Sequence, residues 1–114
     1  MRKSVRVQQV SATRAGPARA PDVVGASELL RALAHPHRIA IVLELAGGER
    51  CVHELVDALG VTQPLVSQHL RILRADRLVV GRRRGREVAY SLGDEHLAHI
   101  VGDAVVHASE RSQP

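Results

Sequence analysis

The 114-residue chain has a single cysteine, Cys51, so no disulfide can close within it and a small secreted module stapled by disulfides is excluded. A reducing compartment fits this. No apolar run approaches the ~20 residues that span a bilayer. The start, MRKSVRVQQVSATRAGPARAP, is basic but has no apolar signal-peptide core. The expectation is a soluble, cytoplasmic protein with no membrane partner. Lysine is also nearly missing, with one against fifteen arginines, a bias of genome base composition that carries no functional weight.

Acidic residues are absent from residues 1–21, which hold Arg2, Lys3, Arg6, Arg14 and Arg19 and so carry +5. The remaining 11 bases face all 12 acids, giving −1, and together these make the net +4. The basicity therefore belongs to the arm and says little about the folded part, where local clusters must carry any nucleic-acid argument. Residues 1–21, rich in Ala, Arg, Pro and Ser without a period, read as a flexible basic arm. Residues 22–110 read as one small domain, with 111–114 as a tail. So short a chain buries a limited core, which favours help from a partner subunit or a metal.

From Asp22, read as an N-cap, Val23, Ala26, Leu30 and Leu33 recur at helical spacing. A second helix opens at His35-Pro36, is apolar almost all round, and stops at Gly47-Gly48, which makes it the expected centre of the core. Next, Val52, Leu55, Val56 and Leu59 mark a helix that breaks at Gly60. Another helix follows, with Thr62 as its expected N-cap. Helix, short glycine turn, helix is the helix-turn-helix pattern. In its second helix Val66, Leu70 and Leu73 share one side, while Gln63, Ser67, Arg71 and Arg74 share the other at ~100° per residue. His69 leans inward beside Leu70 and is expected to pack.

The segment LVVGRRRGREVAYSL alternates, placing Val88, Tyr90 and Leu92 on one strand face, with Gly85 turning the chain after three arginines. It predicts a two-stranded β-hairpin with a cationic tip. A last helix runs from Asp94 to about Glu110. The fold class is mainly α (α+β): helices, a hairpin wing and a C-terminal dimerisation helix. A recognition helix must present paired donors and acceptors to base edges while arginines grip phosphates. Gln63, Ser67, Gln68 and Arg71 suit the first task, and Arg74, Arg82, Arg83, Arg84 and Arg86 the second. The bland reading of each is a solvated face. Their joint order is what points to double-stranded DNA.

The segments CVHELVDALGVTQPLVSQHLRILRADRLV, GREVAYSL and DEHLAHIVGDAVVHASE resemble the ArsR/SmtB family of winged-helix metalloregulators, and with the first two helices the likeness covers about residues 22–110. It implies a homodimer, an operator with two symmetric half-sites, and an inducer that weakens DNA binding. His96, Asp103, His107 and Glu110 lie within ~60° on an ideal helix, beside a stripe of Leu97, Ile100, Val101, Ala104 and Ala108. His96 and His107 are nevertheless ~16 Å apart along the axis, so one helix cannot close a site with ~2 Å metal bonds. Antiparallel pairing of two copies brings Asp94 and His96 of one chain to His107 and Glu110 of the other, making two four-coordinate sites. The same spacing, Asp-x-His then His-x-x-Glu, matches the family's interhelical zinc-sensing site. The resemblance further implies that His107 signals toward the end of the recognition helix near Arg77.

Imidazole and carboxylate suit Zn(II), with Co(II) or Ni(II) as alternatives, and the absence of thiolate argues against soft-metal sites. The resemblance also places a second family site at Cys51-Val52-His53-Glu54. With one cysteine there, Cys51 is expected to be buried or capping, His53 to be a surface residue, and His35 and His37 to cap or be solvated. His99 is expected to be solvated. Three rival functions stand beside this one: a repressor sensing a non-metal signal, a protein-interaction module, and a zinc hydrolase. The hydrolase is disfavoured because four protein ligands close the coordination sphere.

Overall fold

The computed structural model describes residues 20–112. The expected arm, residues 1–21, lies outside these apart from Ala20 and Pro21. The chain divides after Arg31 into two units. In the first, Asp22 does cap α1 (Val23–Leu33), its Oδ1 accepting the Gly25 N–H at 2.8 Å. Val24 and Leu30 of this helix are exposed.

The second unit is built around α2 (Pro36–Ala46), which packs against α3 (Val52–Leu59), α4 (Gln63–Ala75) and α5 (His96–Arg111). Ile41, Val42 and Leu45 of α2 meet Leu55, Val66, Leu70 and Leu73 in the core. Each such aliphatic side chain contributes about 1.5–3 kcal/mol on full burial. The helix is less enclosed than its composition suggests, since Leu43 stays 40% exposed. Gly60 ends α3 in the left-handed conformation (φ 70°), returning its N–H to the Val56 carbonyl at 2.8 Å. Thr62 is extended, as an N-cap should be, but its hydroxyl makes no capping bond to α4. Arg77 takes φ 62° where a glycine is usual, and the Leu78 N–H closes back on the Leu73 carbonyl at 2.9 Å.

The wing, β2 (Val79–Arg84) paired with β3 (Glu87–Leu92), turns at Gly85-Arg86. Gly85 has φ 63° and Arg86 does not, the pattern of a two-residue II′ turn that needs glycine first. The wing is the expected two-stranded hairpin, and a third strand joins it. The sheet has three strands in the order β1-β3-β2, because β1 (Arg50–Cys51) pairs with Tyr90 and Ala89, and a two-residue strand carries no readable alternation. The most enclosed residue of β3 is Ala89, on the face opposite Val88, Tyr90 and Leu92, and α2 and α3 both pack against this strand.

The last helix begins at His96, not Asp94. Gly93, just before it, donates its N–H to the Leu78 carbonyl at 2.9 Å. A Cβ at Gly93 would lie 2.6 Å from the Arg77 carbonyl oxygen, whereas one at Gly102, within α5, would meet nothing within 4 Å. Gly93→Ala should therefore cost about 1–3 kcal/mol, and Gly102→Ala should add about 0.5–1 kcal/mol by improving helix propensity. Urea midpoints at constant m value check both signs. An unchanged midpoint in Gly93→Ala would show that the β3–α5 junction yields freely.

Candidate nucleic-acid interface and metal donors

Helix α4 is divided as its spacing requires. Val66, His69, Leu70 and Leu73 are buried, whereas Gln63, Gln68, Arg71 and Arg74 are exposed and Ser67 is half-buried. The outer face is therefore a row of amide, hydroxyl and guanidinium groups on a rigid rod. On the wing, Arg82, Arg83, Arg84 and Arg86 are all exposed but not equivalent. Arg82 reaches Glu49 at 2.8 Å and Arg84 reaches it at 3.0 Å. Arg83 and Arg86 have no ion pair among the described residues. Exposed pairs of this kind are worth about 0–1 kcal/mol, so Glu49 orients its two arginines without holding them against a phosphate.

Of the donors expected on α5, one chain brings together only the first two. Asp94 Oδ1 accepts the His96 backbone N–H at 2.7 Å and lies 2.8 Å from its Nδ1, while both side chains stay exposed. The backbone bond, then the ring contact, holds the Asp94 carboxyl below the usual carboxylate range. His107 and Glu110 are exposed on later turns of the helix, as are His99 and Asp103. The apolar stripe splits in two. Leu97 and Val101 are buried and anchor α5 on α2, whereas Ile100, Ala104 and Ala108 remain exposed beside the donors.

Cys51 is buried at the start of α3, its N–H donating to Glu54 Oε1 at 2.7 Å. It lies with Glu87 on a cleft of about 310 Å³ that His53, Gln63, Arg86 and Tyr90 also line. His53 is exposed and 3.3 Å from Glu87. The hydrogen bond to Glu87, then burial, then the charges of Glu87 and Glu54 push the Cys51 thiol above its ordinary range. Because the thiolate is the nucleophile, alkylation of Cys51 by iodoacetamide should be slow at pH 8, with Glu87→Gln moving the rate profile to lower pH. Labelling as fast as that of a free thiol would contradict this arrangement.

A second group of donors lies elsewhere: the sequence leaves open whether His35 or His37 belongs to a second site, but it does not join them to His69. His35, His37 and His69 bring one ligand atom each within 4.8 Å of one another, with ring centroids 4.4–5.4 Å apart. His35 caps α2, its Nδ1 accepting the His37 N–H at 3.1 Å, so the expected capping role holds for it. His69 is buried as expected, but against imidazoles. Its Nδ1 accepts from Arg38 Nε at 3.2 Å, and Arg38 Nη1 donates to the Ala32 carbonyl at 2.8 Å. His37 Nδ1 and His69 Nε2 are enclosed without partners, at a cost of about 1–3 kcal/mol each in a dry interior. Burial first, then the nearby charges of His35, Arg38 and His37, lowers the His69 pKa and keeps the ring neutral. The available signal was His-Pro-His at a helix start combined with a histidine on the inner flank of α4. Nothing in the spacing says that the two meet.

Residues 35–80 match the family described as bacterial regulatory protein, arsR family. The chain is 71% identical over 85 residues to the HTH-type transcriptional repressor SmtB of Mycobacterium tuberculosis, an alignment covering 75% of this chain and 63% of SmtB. It thus spans less than two thirds of that relative's length. Over 95 residues it is 42% identical to the HTH-type transcriptional regulator KmtR of the same species, covering 82% of this chain and 73% of KmtR. Among solved structures it is similar to a homodimeric winged helix-turn-helix DNA-binding domain of Mycobacterium bovis, a possible ArsR-family transcriptional regulator. There the TM-score is 0.69 at 30% identity, covering 78% of this chain and 82% of that one. With the helix-turn-helix, the wing and these likenesses in agreement, the chain belongs to the arsR family of bacterial regulatory proteins.

Proposed function

We propose that the chain is a metal-responsive transcriptional repressor, acting as a homodimer that binds operator DNA and is released when Zn(II) binds between the two α5 helices. The observation that carries the metal half is the exposed edge of α5. The Asp94–His96 pair stands at one end, His107 and Glu110 stand at the other, and Ile100 and Ala104 are bare beside them. A second copy packed antiparallel on those apolar residues completes two identical donor sets from groups that a single chain keeps apart. The set fits zinc chemically, being two imidazoles and two carboxylates of borderline character; Co(II) and Ni(II) are the alternatives. The hydrogen bond between His96 Nδ1 and Asp94 fixes the ring's orientation and leaves its Nε2 as the donor. The metal would supply a rigid cross-link between protomers.

The DNA half rests on α4 and the wing. Gln63, Ser67, Gln68 and Arg71 face outward for base edges, while Arg74 and the wing arginines Arg82, Arg83, Arg84 and Arg86 serve the phosphates. The two halves are joined by backbone. Asp94 follows Gly93, which is bonded to Leu78 and packed on the Arg77 carbonyl just beyond the end of α4. Holding Asp94 and His96 to a partner helix therefore constrains where α4 ends, and hence the distance between the two recognition helices. A coupling of about 1–3 kcal/mol is the usual scale for such an arrangement.

Fluorescence anisotropy of labelled operator DNA tests both halves. Zinc should weaken binding by about 5–150-fold, and His96→Ala or His107→Ala should abolish that response while leaving apo binding intact. Zinc binding that leaves DNA affinity unchanged sinks the sensor reading. Arg83→Ala and Arg86→Ala should each weaken binding to all sequences alike and reduce the salt slope by about 1. Arg71→Ala should instead relax sequence preference.

A further inference from the structure

We infer that His35, His37 and His69 form a second metal site in this chain, a three-imidazole centre for a borderline divalent cation such as Zn(II), tying the start of α2 to the middle of α4. His69 is 5% exposed, and its Nε2 has no partner. His37 Nδ1 is enclosed and equally unpartnered. A buried polar atom without a partner normally has a ligand or water to meet. Here two such atoms sit on rings that also touch a third, and all three residues offer donors within 4.8 Å. Two nitrogens on one tetrahedral zinc are ~3.4 Å apart for ~2.1 Å bonds. The donors must therefore close by up to about 1.4 Å, which the half-buried His35 and His37 can supply by rotation. Three protein ligands leave one position for water.

The hydrogen bonds at the site determine what binding must displace. Arg38 Nε–H donates to His69 Nδ1, so the neutral ring carries its proton on Nε2. To bind metal through Nε2, that proton must leave and Nδ1 must take one up. The proton count of the ring is unchanged, and Arg38 loses its acceptor. His35 is in the same position, with Nδ1 receiving the His37 N–H. Metal binding therefore trades the Arg38–His69 link and the α2 cap for coordination. Arg38 acts as a positioning residue that opposes the metal. This centre uses none of the α5 donors and is independent of the function proposed above.

The test uses the full chain carrying His96→Ala and His107→Ala, stripped of metal and titrated with Co(II), whose visible absorption reports nitrogen ligation and coordination number. One cobalt per protomer, displaced by zinc, is expected. His37→Ala should weaken binding by more than the ~10–100-fold typical of losing an outer partner of a ligand. His69→Gln should do the same. Arg38→Ala should instead tighten it, a gain that a purely structural arginine would not give. His37 is half-buried, so its variant keeps the test valid if His69→Gln fails to fold. No cobalt bound above buffer, or binding unaffected by His37→Ala, overturns the site in favour of three packed neutral rings. These outcomes are separate from the operator assay: a loaded histidine centre with zinc-insensitive DNA binding would leave this inference standing and remove the α5 one.

Discussion

The arrangement of the second unit depends on the burial of one face of α4. Val66, Leu70 and Leu73 are almost completely enclosed against α2 and α3, and a rod held along one side must expose the other. The polar row from Gln63 to Arg74 is the geometric complement of that burial. The same seating sets the wing, because β2 begins directly after the turn at Arg77 and pairs through β3 with the two residues that precede α3.

Helix α5 serves two packing surfaces at once. Leu97 and Val101 are buried, whereas Ile100, Ala104 and Ala108 stay exposed as the apolar surface that the proposed pairing would use. Under the proposed pairing the donors come from two chains, which would make coordination sensitive to how the protomers are oriented. Gly93 ties the start of α5 to the end of α4, since the backbone there is packed too closely for a side chain.

The histidines beneath α4 pose a different physical problem. Polar atoms enclosed without partners are costly unless something meets them. Arg38 satisfies one nitrogen of His69 and leaves the other facing His35 and His37. The region therefore has local chemistry of its own on the side of α4 that faces away from the polar row.

Residue order alone determined the helices, the turn glycines at Gly60 and Gly85, the two faces of α4 and the donor spacing along α5, because each is a local pattern read at a period of 3.6 or 2. Helical rise alone also separates His96 from His107 by too much for one helix to place both on one metal. Tertiary structure alone decided the rest. The strand at Arg50–Cys51 exists only because β3 lies beside it, and Ala89 is enclosed in a sheet strand on which α2 and α3 pack. The expected stripe of α5 divided because α2 took Leu97 and Val101. Arg82 and Arg84 turned to Glu49, and His69 met His35 and His37, through approaches between residues more than thirty positions apart. No periodicity encodes such meetings; packing brings them about.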